Sequence, residues 1–135
     1  MNKELLLNQA EESIEFNKEE WFRCSISRSY YYLYHNAIEV TGGSVPRSGP
    51  NGEVISGGMH KKLYTYLQSF SQGIKSDIYP KELLMILGQA LKTQHSRRVD
   101  ADYKLELSIP KVKALHCLKE VKLIVEKLEA CRAEG

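Results

Sequence analysis

The sequence lacks the cysteine pattern that disulfide frameworks and zinc sites require. Its three cysteines are an odd number and include no CxxC pair, so we expect neither a disulfide scaffold nor a structural zinc site. Cys24 and Cys117 lie among apolar residues, which is typical of small buried side chains in a reducing cytosol. No apolar run reaches the roughly 18 residues of a membrane span. We therefore expect a soluble, cytoplasmic protein with no membrane partner.

The chain also lacks a large excess of either basic or acidic residues. The chain has 19 basic and 17 acidic residues, a net charge of +2, so nothing attracts it generally to nucleic acid or to anionic membranes. Any contact with RNA must come from a local patch. The motifs of phosphate loops, serine hydrolases and zinc proteases are absent. His60 and His116 are isolated in the sequence, with no cysteine or aspartate at ligand spacing.

Apolar residues recur at helical rather than strand spacing along most of the chain. Helices are predicted over residues 3–15, 18–40 and 59–71, from about residue 80, and from about residue 108. Asn17 and Glu20 have the spacing of a capping box at the start of the second helix. The predicted fold is all-α, a four- to five-helix up-down bundle in one domain that spans residues 1–135.

Segment 42–58 interrupts the helical pattern. Its six glycines and two prolines cannot sustain a helical or a strand period, so we predict a long flexible loop. Loops of this length in compact domains are often functional or mobile. The alternative is a plain surface connector.

The second helix sets an arginine and a histidine on one face. Arg28 and His35 are seven residues apart, which places them on nearly the same side, roughly 10 Å apart along the helix axis. Tyr31 lies between them, within a run of tyrosines. Side chains placed in this way can approach one phosphate or each other. The alternatives are a salt-bridge or capping role for Arg28 and His35, and a core role for the tyrosines.

The fourth helix carries further basic residues. Its apolar stripe consists of Leu84, Leu87 and Leu91. The same spacing continues to Arg98, and an arginine on a core-facing stripe must be paired or must serve an interface or a site. Asp102 follows at ion-pair spacing, and Tyr103 comes next. His95 and Arg97 join Arg98 in a basic cluster suited to phosphate; for these two residues a solvated helix end is the alternative.

Two segments together resemble a known family. Residues 27–37, SRSYYYLYHNA, are similar to the SRxYYxxFHA helix of small HEPN-domain proteins. Residues 98–103, RVDADY, are similar to the RxxADY segment of the same group. The resemblance covers nearly the whole chain in order, apart from the loop at 42–58.

The resemblance implies a helical bundle that pairs as a twofold homodimer. Many members are metal-independent endoribonucleases of toxin or phage-defence type, so RNA is the implied substrate and no metal or other cofactor is expected. It implies acid–base catalysis by His35 and phosphate stabilisation by Arg28, with the active-site pairs of two chains meeting at the dimer interface. The implied supporting residues are Tyr31, Arg98, Asp102 and Tyr103.

Two other functions remain open. HEPN domains also act as non-catalytic adaptors for small nucleotidyltransferases, antitoxin-type partners that can cap a tyrosine near the site with AMP. Arg28 and His35 would then bind a nucleotide or hold an interface. The third possibility is a purely structural bundle. It predicts that Arg28 and Arg98 are each fully paired with acidic groups, with no open cleft around His35.

Overall fold

The computed structural model describes residues 2–134, which form five α-helices. The helices are α1 (Glu4–Glu15), α2 (Glu19–Val40), α3 (Met59–Ser69), α4 (Lys81–Tyr103) and α5 (Lys111–Glu134), with a 3₁₀ turn at Ser71–Gly73. No strand occurs within residues 2–134, where an isolated antiparallel bridge joins Ser48 to Val54. The predicted all-α bundle is confirmed. Each helix in the described part of the chain is too short or too polar to traverse a bilayer.

Helix α2 is the central element of the bundle. It packs against α1, α4 and α5, while α3 packs against α4. The core-facing side of α2 includes Ile26 and Leu33, which are completely buried. The predicted stripe of α4 is buried as well, because its three leucines at helical spacing face α2 and α3. Burial of each such side chain contributes about 1.5–3 kcal/mol, which fixes α2 and α4 side by side.

The connection between α1 and α2 differs from the prediction. The expected capping box of Asn17 and Glu20 is wrong, because Lys18 precedes the helix in an extended conformation and no side chain caps it. Asn17 instead adopts a left-handed conformation with φ 55°, which asparagine tolerates, and its amide N–H donates back into the last turn of α1. This turn brings the Phe16 ring onto Trp21, with ring centroids 4.5 Å apart.

Segment 42–58 connects α2 to α3 and is organised around Glu53. The Glu53 carboxylate accepts a hydrogen bond from the Asn51 amide at 2.7 Å, and its carbonyl accepts one from the Gly49 amide at 2.8 Å. Ile55 is buried, and its carbonyl accepts a hydrogen bond from Lys62 Nζ on α3 at 2.5 Å. These contacts tie the end of the loop to the start of α3.

Candidate functional site

One side of α2 is open to solvent and carries the two residues predicted to be catalytic. Arg28 and His35 are both exposed, and the uninterrupted helix keeps them on one face. Neither side chain forms a hydrogen bond or an ion pair with another residue of the described chain, 2–134. The purely structural alternative required an acidic partner for Arg28, and the described residues supply none.

Arg98 of α4 meets Tyr31 of α2. The Arg98 guanidinium carbon lies 5.2 Å from the centroid of the Tyr31 ring and 5.4 Å from that of Tyr103. Nε of Arg98 donates to Oδ2 of Asp102 at 2.9 Å, so α4 continues as predicted and the expected ion pair is confirmed. Ser27 Oγ of α2 donates to the same carboxylate oxygen at 3.3 Å. The four predicted supporting residues therefore lie together at the contact between α2 and α4.

Within residues 2–134, no hydrogen bond or ion pair joins either catalytic candidate to this group. Arg28 faces a groove toward α1, and His35 packs its ring against Tyr34, with ring centroids 5.5 Å apart. Tyr31 lies one helical turn from each of them along α2, since it follows Arg28 by three residues and precedes His35 by four. The spacing in the sequence thus predicted that Arg28 and His35 share a helix face. Among the residues of that face, Tyr31 is the one that contacts Arg98.

Two histidines that are distant in the sequence meet in the structure. The rings of His60 on α3 and His95 on α4 stack with centroids 4.9 Å apart and planes at 28°. Burial lowers the pKa of both imidazoles; the neighbouring His95 and then Arg98 add to the effect on His60, and Arg98 adds to the effect on His95. No spacing in the sequence predicts this pair, because His60 and His95 belong to different helices.

Tyr30 fixes the orientation of His60. Its hydroxyl oxygen lies 2.5 Å from Nδ1 of His60. Burial raises the pKa of the Tyr30 phenol far above its ordinary value, with a smaller contribution from Tyr34, so the phenol keeps its proton. A hydrogen bond joins the two groups, and the tautomer of His60 decides which of them donates.

The tyrosines within residues 30–34 take two different roles, one in the core and one at the candidate site. Tyr30, Tyr32 and Tyr34 are buried, as the core alternative expected, and the Tyr32 hydroxyl donates to a carboxylate oxygen of Glu4 at 3.3 Å. Tyr31 is half-buried and is the tyrosine of this run that lies under the Arg98 guanidinium. Tyr31 is therefore the tyrosine of this run that is a candidate for a functional role.

The predicted basic cluster on α4 is divided, because Arg97 contacts α5 whereas His95 and Arg98 contact tyrosines of α2. Arg97 donates to Glu120 of α5 at 2.8 Å, so the solvated-end alternative is wrong for this residue. His95 is also not a solvated helix end, because it is half-buried against His60. Arg97 and Arg98 are neighbours in sequence but contact different helices, Arg97 contacting α5 and Arg98 contacting α2.

The resemblance to HEPN domains rests on the segments 27–37 and 98–103. They lie on α2 and α4, and their side chains meet through Ser27, Tyr31, Arg98 and Asp102. Family membership itself stays a prediction. Comparisons of the chain with protein-family models, with curated proteins and with solved structures found no match.

Proposed function

We propose that this chain is a metal-independent endoribonuclease of toxin or phage-defence type, with Arg28 and His35 as its catalytic residues. The observation that carries the proposal is that both side chains are exposed and free of partners within residues 2–134, on one face of α2. A guanidinium with no acidic partner keeps its planar set of donors for an external anion, and phosphate matches that geometry. An exposed imidazole can accept or donate a proton in catalysis.

The proposed reaction uses the nucleophile that RNA already contains. The 2′-oxygen attacks the adjacent phosphorus while His35 takes the 2′-hydroxyl proton. The bond from phosphorus to the 5′-oxygen breaks, and the 5′-oxygen receives a proton from a second imidazole. The products are a 2′,3′-cyclic phosphate end and a 5′-hydroxyl end. Arg28 stabilises the negative charge that develops on the phosphoryl oxygens.

The need for a second imidazole supports a homodimer. The step requires a base and an acid at the same phosphate, whereas α2 contains one histidine, His35. A twofold dimer that sets two α2 faces against each other supplies two His35 side chains and two Arg28 side chains. The proposed dimer therefore agrees with the proposed chemistry as well as with the family resemblance.

Arg98, Asp102, Tyr31 and Tyr103 act in this proposal as positioning residues. Arg98 is held by a carboxylate on its own helix and by the Tyr31 ring on α2, and only 15% of its side chain is exposed. A charge fixed in this way is less available to substrate than Arg28. Its contacts hold the middle of the exposed α2 face in place against α4.

Cleavage of RNA in the presence of EDTA tests the proposal. The parent protein should yield 2′,3′-cyclic phosphate ends, and Arg28→Ala should slow cleavage by about 10²-fold or more. Arg47→Ala is the matched control, because Arg47 is also exposed but lies in the loop. Equal rates for Arg28→Ala and the parent protein would overturn the assignment of Arg28.

Tyr103 supports a second candidate function, that of an adaptor for a nucleotidyltransferase. Its side chain is 68% exposed, and its hydroxyl lies 3.4 Å from a guanidinium nitrogen of Arg98. A reachable hydroxyl beside a fixed cation suits transfer of a nucleotidyl group. Growth arrest on expression that is lost in His35→Ala supports the ribonuclease. Expression without arrest, together with modification of the parent protein but not of Tyr103→Phe, supports the adaptor.

A further inference from the structure

Phe16 and Trp21 form an exposed aromatic platform at the start of α2. Their rings stack with centroids 4.5 Å apart and planes at 29°. Phe16 is 57% exposed and Trp21 is 37% exposed, so neither ring is absorbed into the core. The left-handed conformation of Asn17 holds the two rings together, because it turns the chain sharply between α1 and α2. Two large aromatic rings are thus kept in a fixed arrangement at the surface.

The platform borders a groove that also reaches Arg28. The groove lies between α1 and α2, has a volume of about 230 Å³, and is lined by Gln9 and Glu12 as well as by Phe16, Trp21 and Arg28. Trp21 and Arg28 are seven residues apart on α2, as are Arg28 and His35. The aromatic platform, the free arginine and the histidine therefore follow one another along a single helix face.

We propose that this groove binds an unpaired nucleobase of a single-stranded RNA, stacked on the platform of Phe16 and Trp21. The proposal rests on the proposed ribonuclease function and names its substrate class. In it, the phosphate attached to the stacked nucleotide lies toward Arg28. A strand bound in this way runs along α2 and presents its next phosphate toward His35.

Three features of the groove favour a nucleobase. Every base has a flat π-face, and stacking of unpaired bases on aromatic side chains is the common way in which proteins bind single-stranded RNA. Gln9 and Glu12 place an amide and a carboxylate at the groove, which suit the N–H groups on the edge of a base. Arg28 supplies the positive charge that the backbone of the strand requires. A base inside a duplex does not expose its face, so the groove selects single strands.

The chain contains one tryptophan, Trp21, so its fluorescence reports directly on this groove. The probe is an eight-residue single-stranded DNA, which lacks the 2′-hydroxyl and therefore is not cleaved. We expect saturable quenching of the Trp21 emission by the single strand and much weaker quenching by the same sequence in a duplex. Phe16→Ala should raise the Kd of the single strand about 5- to 150-fold, the range expected for loss of one base–aromatic stack.

A further variant distinguishes the effect of the aromatic face of Phe16 from the effect of its apolar surface, and a second variant is the control. Phe16→Leu keeps an apolar side chain but removes the aromatic face, and should weaken binding nearly as much as Phe16→Ala. Leu105→Ala, at an exposed residue beyond α4, is the matched control and should leave the Kd unchanged. Binding that survives in Phe16→Leu would contradict base stacking. A dimer that dissociates in Phe16→Ala would show that a second copy of the chain covers the platform, and would also overturn the inference.

Binding and cleavage experiments together distinguish a failure of the proposed base-binding groove from a failure of the proposed ribonuclease. If the parent protein binds the single strand through Phe16 but does not cleave RNA, the groove is confirmed and the ribonuclease is wrong. If RNA is cleaved through His35 while Phe16→Ala changes neither the Kd nor the KM for RNA, the ribonuclease stands and the groove assignment is wrong.

Discussion

The guanidinium of Arg98 lies 5.2 Å from the centroid of the Tyr31 ring and joins α4 to α2 in the middle of the exposed helix face. The same arginine donates to Asp102, which also accepts a hydrogen bond from Ser27 of α2. The Arg98 side chain thus completes a network of contacts that links α4 to α2. We regard this network as the support for the exposed Arg28 and His35.

Replacement of Arg98 by lysine should weaken this support although the charge is kept. Lysine cannot reproduce the Nε–H hydrogen bond to Asp102 while it lies flat on the Tyr31 ring. We expect the free energy of unfolding to fall by about 1–2 kcal/mol, measured by urea denaturation. Arg47→Lys in the loop should stay within about 0.5 kcal/mol of the parent protein. Equal stability of the two variants would show that the network contributes nothing measurable.

The pair of His60 and His95 should make stability depend on pH below neutrality. The pKa of each imidazole is lowered from 6.5 in the folded chain, so the unfolded chain takes up protons first as the pH falls. The contribution of the pair to stability is therefore complete well above pH 6.5 and is lost as the pH falls through and below 6.5. No carboxylate is ion-paired with either ring within residues 2–134; the side chains around them are Tyr30, Tyr31, Tyr34, Tyr64 and Arg98.

Urea denaturation at about pH 7.5 and about pH 5.5 checks this dependence. The double variant with His60→Gln and His95→Gln should lose less stability over this interval than the parent protein. Glu19 does not interfere, because its pKa is lowered from 4.5 by the Ile109 amide and by Arg23 and it titrates below this range. An identical pH dependence in the double variant would contradict the role of the pair.

Gly88 sets the close approach of α3 to α4. A Cβ atom at Gly88 would lie 2.4 Å from the backbone nitrogen of Gln68 on α3, so the two helices would have to separate. Gly88→Ala should lower the free energy of unfolding by about 1–3 kcal/mol, even though alanine favours a helix over glycine by about 1 kcal/mol. Gln89→Ala, exposed on the same helix, is the control. A more stable Gly88→Ala protein would show that α3 moves away without cost.

The proposed homodimer should be visible in the mass of the protein in solution. Light scattering at micromolar concentration should give about twice the 15.4 kDa of one chain. Exposed face residues of α2 should contribute to the contact, so His35→Glu should shift the mass toward the monomer. A mass of one chain for the parent protein would contradict the dimer and the source of the second imidazole.

The sequence predicted those parts of the fold and site that depend on one helix at a time. The helical periodicity predicted the bundle. The four-residue spacing of Arg98 and Asp102 predicted their ion pair, because residues on one helix have fixed relative positions. The shared face of Arg28 and His35 followed for the same reason. Asn17 was misassigned because asparagine suits both a helix start and a left-handed helix end, and local sequence does not decide between them.

Contacts between helices could not be predicted from the spacing of residues in the sequence. His60 and His95 are 35 positions apart in the sequence, and nothing in either local segment indicates the other. The platform of Phe16 and Trp21 depends on the exact turn between α1 and α2, which was predicted wrongly. Arg97 and Arg98 look equivalent in sequence, but the packing of α4 sends one toward α5 and the other toward α2.

The rate of RNA cleavage by His35→Ala in EDTA tests the proposed ribonuclease most directly. The matched control is His116→Ala, because His116 is also an exposed histidine but lies on α5 beside Glu120. The account predicts cleavage by the parent protein and by His116→Ala at similar rates, and a loss of about 10²- to 10⁴-fold in His35→Ala. Cleavage by His35→Ala at the parent rate, or no cleavage by the parent protein on any single-stranded RNA, would contradict it.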